Sequence, residues 1–180
     1  MRLVQYIADM QTTTTTLESI LSSIGMGEAR WKPGAERWSI LEVVNHMVDE
    51  ESEDFRYCVQ LLLQTPEKDW PNLQSWSWVE SRDYNARELE ESLARFKIAR
   101  QDSIIWLGDL SDPPWDNRHT GRHSFDAPMT AGEATASRVA HDFFHIGQIQ
   151  TLRWEYLNAS EGSFSTVYAG EIYWRPEGSG

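Results

Sequence analysis

The chain has 180 residues, enough for one domain with a sizeable core and short for two, and a single domain over 1–180 is expected. Sixteen Lys and Arg against 28 Asp and Glu give a formal net charge of -12, the wrong sign for a protein that gathers phosphates, so nucleic acid is not expected as a partner. Cys58 is the only cysteine, which excludes an internal disulfide and a cysteine-based zinc site and fits a reducing, cytoplasmic setting. The N-terminus lacks the uninterrupted apolar core of a signal peptide, and no stretch approaches the roughly 20 apolar residues needed to span a bilayer, so no membrane association is expected.

Residues 1–24 carry apolar side chains at Leu3, Ile7, Met10, Leu17, Leu21 and Ile24, which predicts a helix despite the β-branched run Thr12 to Thr16. Gly25 and Gly27 end it, and a loop with a Pro33-Gly34 turn follows. Ser39 with Glu42 forms a capping box, predicting a second helix over 39–64 with Leu41, Val44, Val48, Phe55, Val59 and Leu62 on its apolar face. A long connection, 65–83, leads to a third helix over 84–108 marked by Leu89, Leu93, Phe96, Ile104 and Leu107. Residues 109–130 read as a long loop. Thr130 with Glu133 forms a second capping box, opening a fourth helix to about 157. The tail, 158–180, has a β-like piece from Phe164 to Trp174. The fold class is therefore all-α, a four-helix bundle whose core spans about 1–157, with two connections long enough for crossovers.

His141 and His145 stand four residues apart, one turn of helix, so both imidazoles reach a common point. They fall on the stripe that continues through Ile149, Leu152 and Tyr156, facing the core. His46, in the second helix, needs only to face them. Three imidazoles can hold a divalent ion and leave a position for water or substrate, and zinc, nickel, iron and manganese all remain open, since imidazole suits several of them. The competing account is three buried histidines satisfied by hydrogen bonds, which demands a partner for every ring nitrogen.

The words Trp31-x-Pro33, Arg37-Trp38-Ser39-Ile40-x-Glu42-Val43-x-Asn45-His46 and His141-Asp142-x-x-His145-x-x-Gln148-Ile149 together resemble the DinB-like superfamily of bacterial metal-binding four-helix bundles. The resemblance covers most of the chain in element order. It implies a metal on His46, His141 and His145, a pocket at one end of the bundle, and a homodimer. Relatives it implies include S-transferases that use bacillithiol or mycothiol, maleylpyruvate isomerase and hydrolases of the YfiT type. The expected function is a metal-dependent enzyme acting on a small molecule, with the metal activating a low-molecular-weight thiol such as bacillithiol or else a water. The rival is a non-catalytic dimeric stress-related binding protein with a structural metal.

Three further residues are candidates for the pocket. Glu50, one turn beyond His46, can line it or supply a fourth ligand, although its place in the acidic run Asp49 to Asp54 predicts a solvent-facing side chain. Gln148 can orient a bound water or substrate, or make an interhelical hydrogen bond. Asp142 gives a His-Asp-x-x-His pattern but lies about 100° from His141 around the helix, so it reads as solvated, as a salt-bridge partner or as a support for a histidine of another turn. His119, His123, Arg118 and Arg122 crowd the long loop and are expected to be solvated unless that loop closes over the metal. Cys58 reads as core, and the nine tryptophans as closing the ends of the core, the alternative being an aromatic wall around a ligand pocket.

Overall fold

Two capping boxes open the two helices that carry the histidines. The Ser39 side chain accepts from the Glu42 amide and the Glu42 carboxylate accepts from the Ser39 amide, and Thr130 and Glu133 repeat the arrangement. In this computed structural model, residues 3–123, 128–162 and 166–169 are described. The helices are α1 (Leu3–Leu21), a short α2 (Met26–Arg30), α3 (Ile40–Glu50), α4 (Arg56–Gln64), a short α5 (Trp78–Ser81), α6 (Leu89–Gly108) and α7 (Ala131–Ser160). A π turn, Glu51–Phe55, joins α3 to α4, so 40–64 is one continuous helical rod. The threonine run does not break α1, because Thr12, Thr14 and Thr15 return their hydroxyls to the carbonyls of Ala8, Met10 and Gln11.

The four expected helices are present with shifted ends. Single turns of 3₁₀ helix at Ser75–Ser77 and Tyr84–Ala86 occupy what the sequence reads as loop and helix start, and α2 lies where only a glycine-marked break is expected. Of the β-like piece 164–174, Val167–Ala169 forms a 3₁₀ turn, and the remaining positions apart from Thr166 lie outside the described residues. Among the described residues no strand forms, and the only β pairing is the bridge between Arg118 and Thr130. No helix among them is long and apolar enough to cross a membrane.

The rod α3–α4 packs on α6 and α7, and α1 packs on the same two helices, so the principal contacts form a ring in which α1 faces α3 across the bundle. The core follows this ring. Leu17, Leu21, Ile40, Leu41, Val44, Met47, Val48, Phe96, Ile149 and Leu152 make its larger part. Met10, Ile104, Leu107 and Val139 fill a second part, and Val59, Leu62, Ala131 and Ala134 a third, covered by Trp70, Trp106 and Trp115.

The two long connections bind each other. Trp70 donates its amide to the Arg122 carbonyl, the amides of Thr120 and Gly121 reach the Pro66 carbonyl, and His119 Nε2 lies 2.7 Å from the Lys68 carbonyl. The 118–123 segment is thereby clamped to 66–70 and does not line the histidine cavity. His119 is buried, contrary to the expectation of a solvated loop histidine, whereas exposed Arg122 pairs with Asp69. A β-carbon at Gly121 would stand 2.2 Å from the Lys68 carbonyl oxygen, so this close approach requires glycine.

Candidate metal centre and its cavity

His46 sits two turns into α3, and His141 and His145 sit one turn apart on α7. Since α3 packs on α7, the three rings meet: His46 lies 5.6 Å from His141 and 5.0 Å from His145 between centroids, and His141 and His145 are 4.2 Å apart. One ring nitrogen from each residue lies within 4.8 Å of the other two, an arrangement that can hold a metal ion. His46 and His145 are buried, and His141 stands at the edge of the buried stripe with 27% of its side chain exposed. The stripe that faces the core runs through Arg138, Asp142, His145, Ile149 and Leu152, one position off the line drawn through His141.

Each ring is held in place. Trp38, just before the helix cap, packs edgewise on His46 at 4.8 Å, Phe55 of the π turn lies 5.1 Å from His141, and Phe144 lies 5.1 Å from His145. His145 Nδ1 donates to the Gln148 side-chain oxygen at 2.7 Å, which leaves the Nε2 lone pair free toward His141 Nε2, 3.0 Å away. Gln148 is therefore the orienting partner of His145. Burial lowers the pKa of all three imidazoles, to about 3 for His46 and about 4 for His145, with His145 also opposing protonation of His46. The rings are thus neutral at physiological pH, the form that binds a metal.

Glu50 overturns its expected place in a solvated acidic run. It is 5% exposed, with Oε1 3.3 Å from His46 Nε2 and Oε2 3.1 Å from His141 Nε2. Burial raises its pKa to about 7, opposed by a hydrogen bond from Ser75 and reinforced by the nearby Asp54. Its neighbours in sequence are buried as well, each on a different side of the rod. Asp49 accepts from Arg82, Arg95 and the Tyr84 hydroxyl, whereas Glu51 accepts from Arg100 Nε at 3.0 Å and contacts Arg138. The π turn that begins at Glu51 accommodates an extra residue at this point, as π turns beside functional sites do.

Asp142 points away from the histidines into the centre of the bundle. There it takes a two-pronged contact from Arg100, at 2.7 and 2.8 Å, and Arg100 also reaches the Met10 carbonyl. It is a structural salt-bridge partner, one of the roles open to it in the sequence. Arg100, Arg138, Glu51 and Asp142 are each 3% exposed or less and form a charge-balanced cluster. A signal for this cluster exists in the sequence: on α6 the buried positions Phe96, Ser103 and Leu107 leave Arg100 on the same stripe, and Glu51 continues the stripe of Val44 and Val48.

A cavity of about 530 Å³ opens onto the histidine cluster. Trp38, Trp76 and Phe144 give it aromatic surface, and Lys32, Glu36, Glu42, Glu50 and Glu80 give it charge, with Ser75, Ser77 and Gln148 as further polar groups. The 65–83 connection thus builds a cavity wall. Lys32 is 3.0 Å from Glu42, so the cavity's ammonium is already paired. Trp70, Trp106 and Trp115 cover core, Trp76 lines the cavity, and Trp38 does both.

Whether these residues suit a metal is decided by their donors. Three neutral imidazoles converge, two with their Nε2 atoms 3.0 Å apart, and Glu50 Oε2 is buried beside them without a hydrogen bond. A cation satisfies these groups together, whereas a proton satisfies one pair of them.

The model of the DinB superfamily matches residues 9–149. No curated protein matches the chain. Among solved structures, YfiT from Bacillus subtilis, described as a probable metal-dependent hydrolase with an unusual four-helix bundle topology, aligns with a TM-score of 0.73 at 18% identity, over 84% of this chain and 85% of that one. That likeness carries the four-helix bundle, and the family match covers both the His46 and the His141–His145 segments: the chain belongs to the DinB superfamily.

Proposed function

We propose that the protein is a metal-dependent hydrolase of a small molecule, with one divalent ion held by His46, His141 and His145. The carrying observation is Glu50: its carboxylate lies within 3.3 Å of two histidine Nε2 atoms and on the wall of the cavity. When bound, such an ion acts as a Lewis acid that makes a nucleophile available at neutral pH and polarises a carbonyl. Glu50 accepts the proton that the nucleophile gives up, and Ser75 holds the carboxylate by a hydrogen bond. Gln148 keeps the proton of His145 on Nδ1, so that Nε2 remains a ligand. Trp38 closes the inner wall against His46 and excludes water from that side of the ring.

Water is favoured over a thiol as the nucleophile by the same wall. A proton acceptor stands beside the histidines, and a carboxylate-bearing thiol would meet Glu36, Glu42 and Glu80 on entry. The YfiT likeness agrees with a hydrolase.

The test is elemental analysis of tag-free protein followed by hydrolysis of a panel of aryl esters and amides. About one metal per chain is expected in the parent, with loss in His46→Ala and His145→Ala. Glu50→Gln is expected to keep the metal and lose at least ~100-fold in kcat, within the range general-base removal produces. Metal bound in the parent with no turnover of any substrate would favour the non-catalytic binding protein. A Glu50→Gln variant with full activity would remove Glu50 from the mechanism.

A further inference from the structure

We infer that the cavity selects an organic cation with an aromatic or apolar body, a substrate carrying an ammonium-like group, and rejects anions. The inference deepens the proposed function, and it rests on that reading only in taking this cavity as the substrate site.

The argument begins with charge. Among the described residues that line the cavity, Glu36, Glu42, Glu50 and Glu80 face one cation, Lys32. That ammonium is 3.0 Å from Glu42 and is thereby engaged in the wall. Glu50 is 5% exposed and turns its carboxylate to the histidines, Oε2 lying 3.1 Å from His141 Nε2, so it adds charge to the inner end of the wall while Glu36 and Glu80 stay open to a ligand. Even with a divalent ion on the histidines, the wall keeps a net negative charge. The chain as a whole carries -12, and a concave low-dielectric wall focuses such a field toward cations.

The second half of the argument is surface. Trp38 forms the inner wall against His46, and Trp76 stands at the rim with 69% of its surface exposed. An indole left that exposed on the wall of a polar cavity is a platform for a ligand. Its face attracts a cation within about 6 Å. Exposed Glu36 and Glu80 line the same cavity, so indole and carboxylates supply both components of an organic-cation site. The wall offers an anion only Lys32, whose charge is already offset by Glu42 at 3.0 Å.

The experiment uses the full chain, both metal-free and zinc-loaded, titrated with benzyltrimethylammonium, benzyl alcohol and benzenesulfonate. These probes share an aromatic ring and differ in charge, and the first cannot ligate a metal. Tryptophan fluorescence and calorimetry read the affinity. The cation is expected to bind at least ~10-fold tighter than the alcohol in both forms, with the sulfonate weakest. Its affinity should fall roughly fivefold when salt is raised from 50 to 500 mM. The double variant Glu36→Gln with Glu80→Gln, both exposed positions, is expected to lose about 5- to 10-fold for the cation and nothing for the alcohol. Trp76→Ala should weaken the cation and the alcohol together, the cation more. Equal or tighter binding of the sulfonate in the metal-free protein would overturn the inference. So would undetectable binding of the cation, or a charge preference that the double variant leaves unchanged. The metal-free arm answers the question even if no metal binds, which separates failure of charge selection from failure of the metal site.

Discussion

Removing Asp142 should cost stability without costing metal. In Asp142→Ala, Arg100 keeps its burial, at 2% exposure, and loses both short contacts to the carboxylate. Glu51 is then left to compensate Arg100 and Arg138 together, so the centre of the bundle carries an uncompensated positive charge. Breaking a buried pair in this way costs about 3–5 kcal/mol. In a chain of this size each kcal/mol moves the melting temperature by about 2–4 °C, so the expected drop is roughly 6–20 °C. The measurement is urea unfolding of metal-free protein followed by far-UV circular dichroism, because a bound ion would add its own stabilisation. Metal content of the folded variant should remain at the parent's level, since Asp142 touches none of the three imidazoles through a hydrogen bond. The double replacement Arg100→Met with Asp142→Leu removes both charges at once and should recover at least half of the loss. A single-variant loss below about 1 kcal/mol, or a double replacement that merely adds the two losses, would refute the assignment of this cluster as a tightly coupled buried network.

Acid should destabilise the metal-free protein. His46, His141 and His145 all have folded-state pKa values lowered below 6.5, so their contribution is complete above that pH and is lost as pH falls toward the folded values, while Glu50, raised to about 7, offsets part of this by taking up one proton in the folded state between 4.5 and 7. Urea midpoints at pH 7.5 and 5 should therefore differ, with the lower pH less stable, and three His→Phe replacements should remove that loss and leave the opposite dependence set by Glu50; a midpoint unchanged between the two in the parent would contradict the buried neutral rings. Cys58, 2% exposed and with a thiol pushed up by burial and by Asp54, should react with iodoacetamide at pH 8 at least ~100-fold more slowly in the native than in the urea-unfolded chain, and comparable rates would deny its core position. Gly121→Ala puts a β-carbon against the backbone of Lys68, and overpacking of that kind costs about 1–3 kcal/mol; limited proteolysis should show new cleavage in 65–83, and an unaltered digest would mean that the clamp is not as close as the contacts imply.

The fold was legible because its signals are local. Ser39 with Glu42 and Thr130 with Glu133 are four-residue patterns, and each opens the helix that carries a histidine of the cluster. The histidine pair on α7 needs only the helical repeat to be read as one site. The cavity was less legible, since Ser75, Trp76 and Glu80 reach it from a connection without a periodic pattern. Its first residues, 66–70, are held by backbone hydrogen bonds with 120–122 and by the side chains of His119 and Arg122, more than 50 positions away, which no local pattern announces.

Glu50 shows the physical reason most directly. Six polar residues in a row, Asp49 to Asp54, read as a solvated face because a regular helix cannot bury three consecutive carboxylates against one neighbour. Here they have three neighbours: the Arg82–Tyr84 segment takes Asp49, the cavity takes Glu50, and the arginines of α6 and α7 take Glu51. The π turn starting at Glu51 lengthens the turn by one residue, and the rod's later residues are rotated so that Phe55 meets His141. Charge composition measures how many ions a segment holds, not how many separate partners surround it. The arginine partners of Asp49 and Glu51 lie 33 or more positions away in the chain, and Glu50 meets His141 and Ser75 across the same packing, so the burial of all three carboxylates follows from the assembled ring of helices.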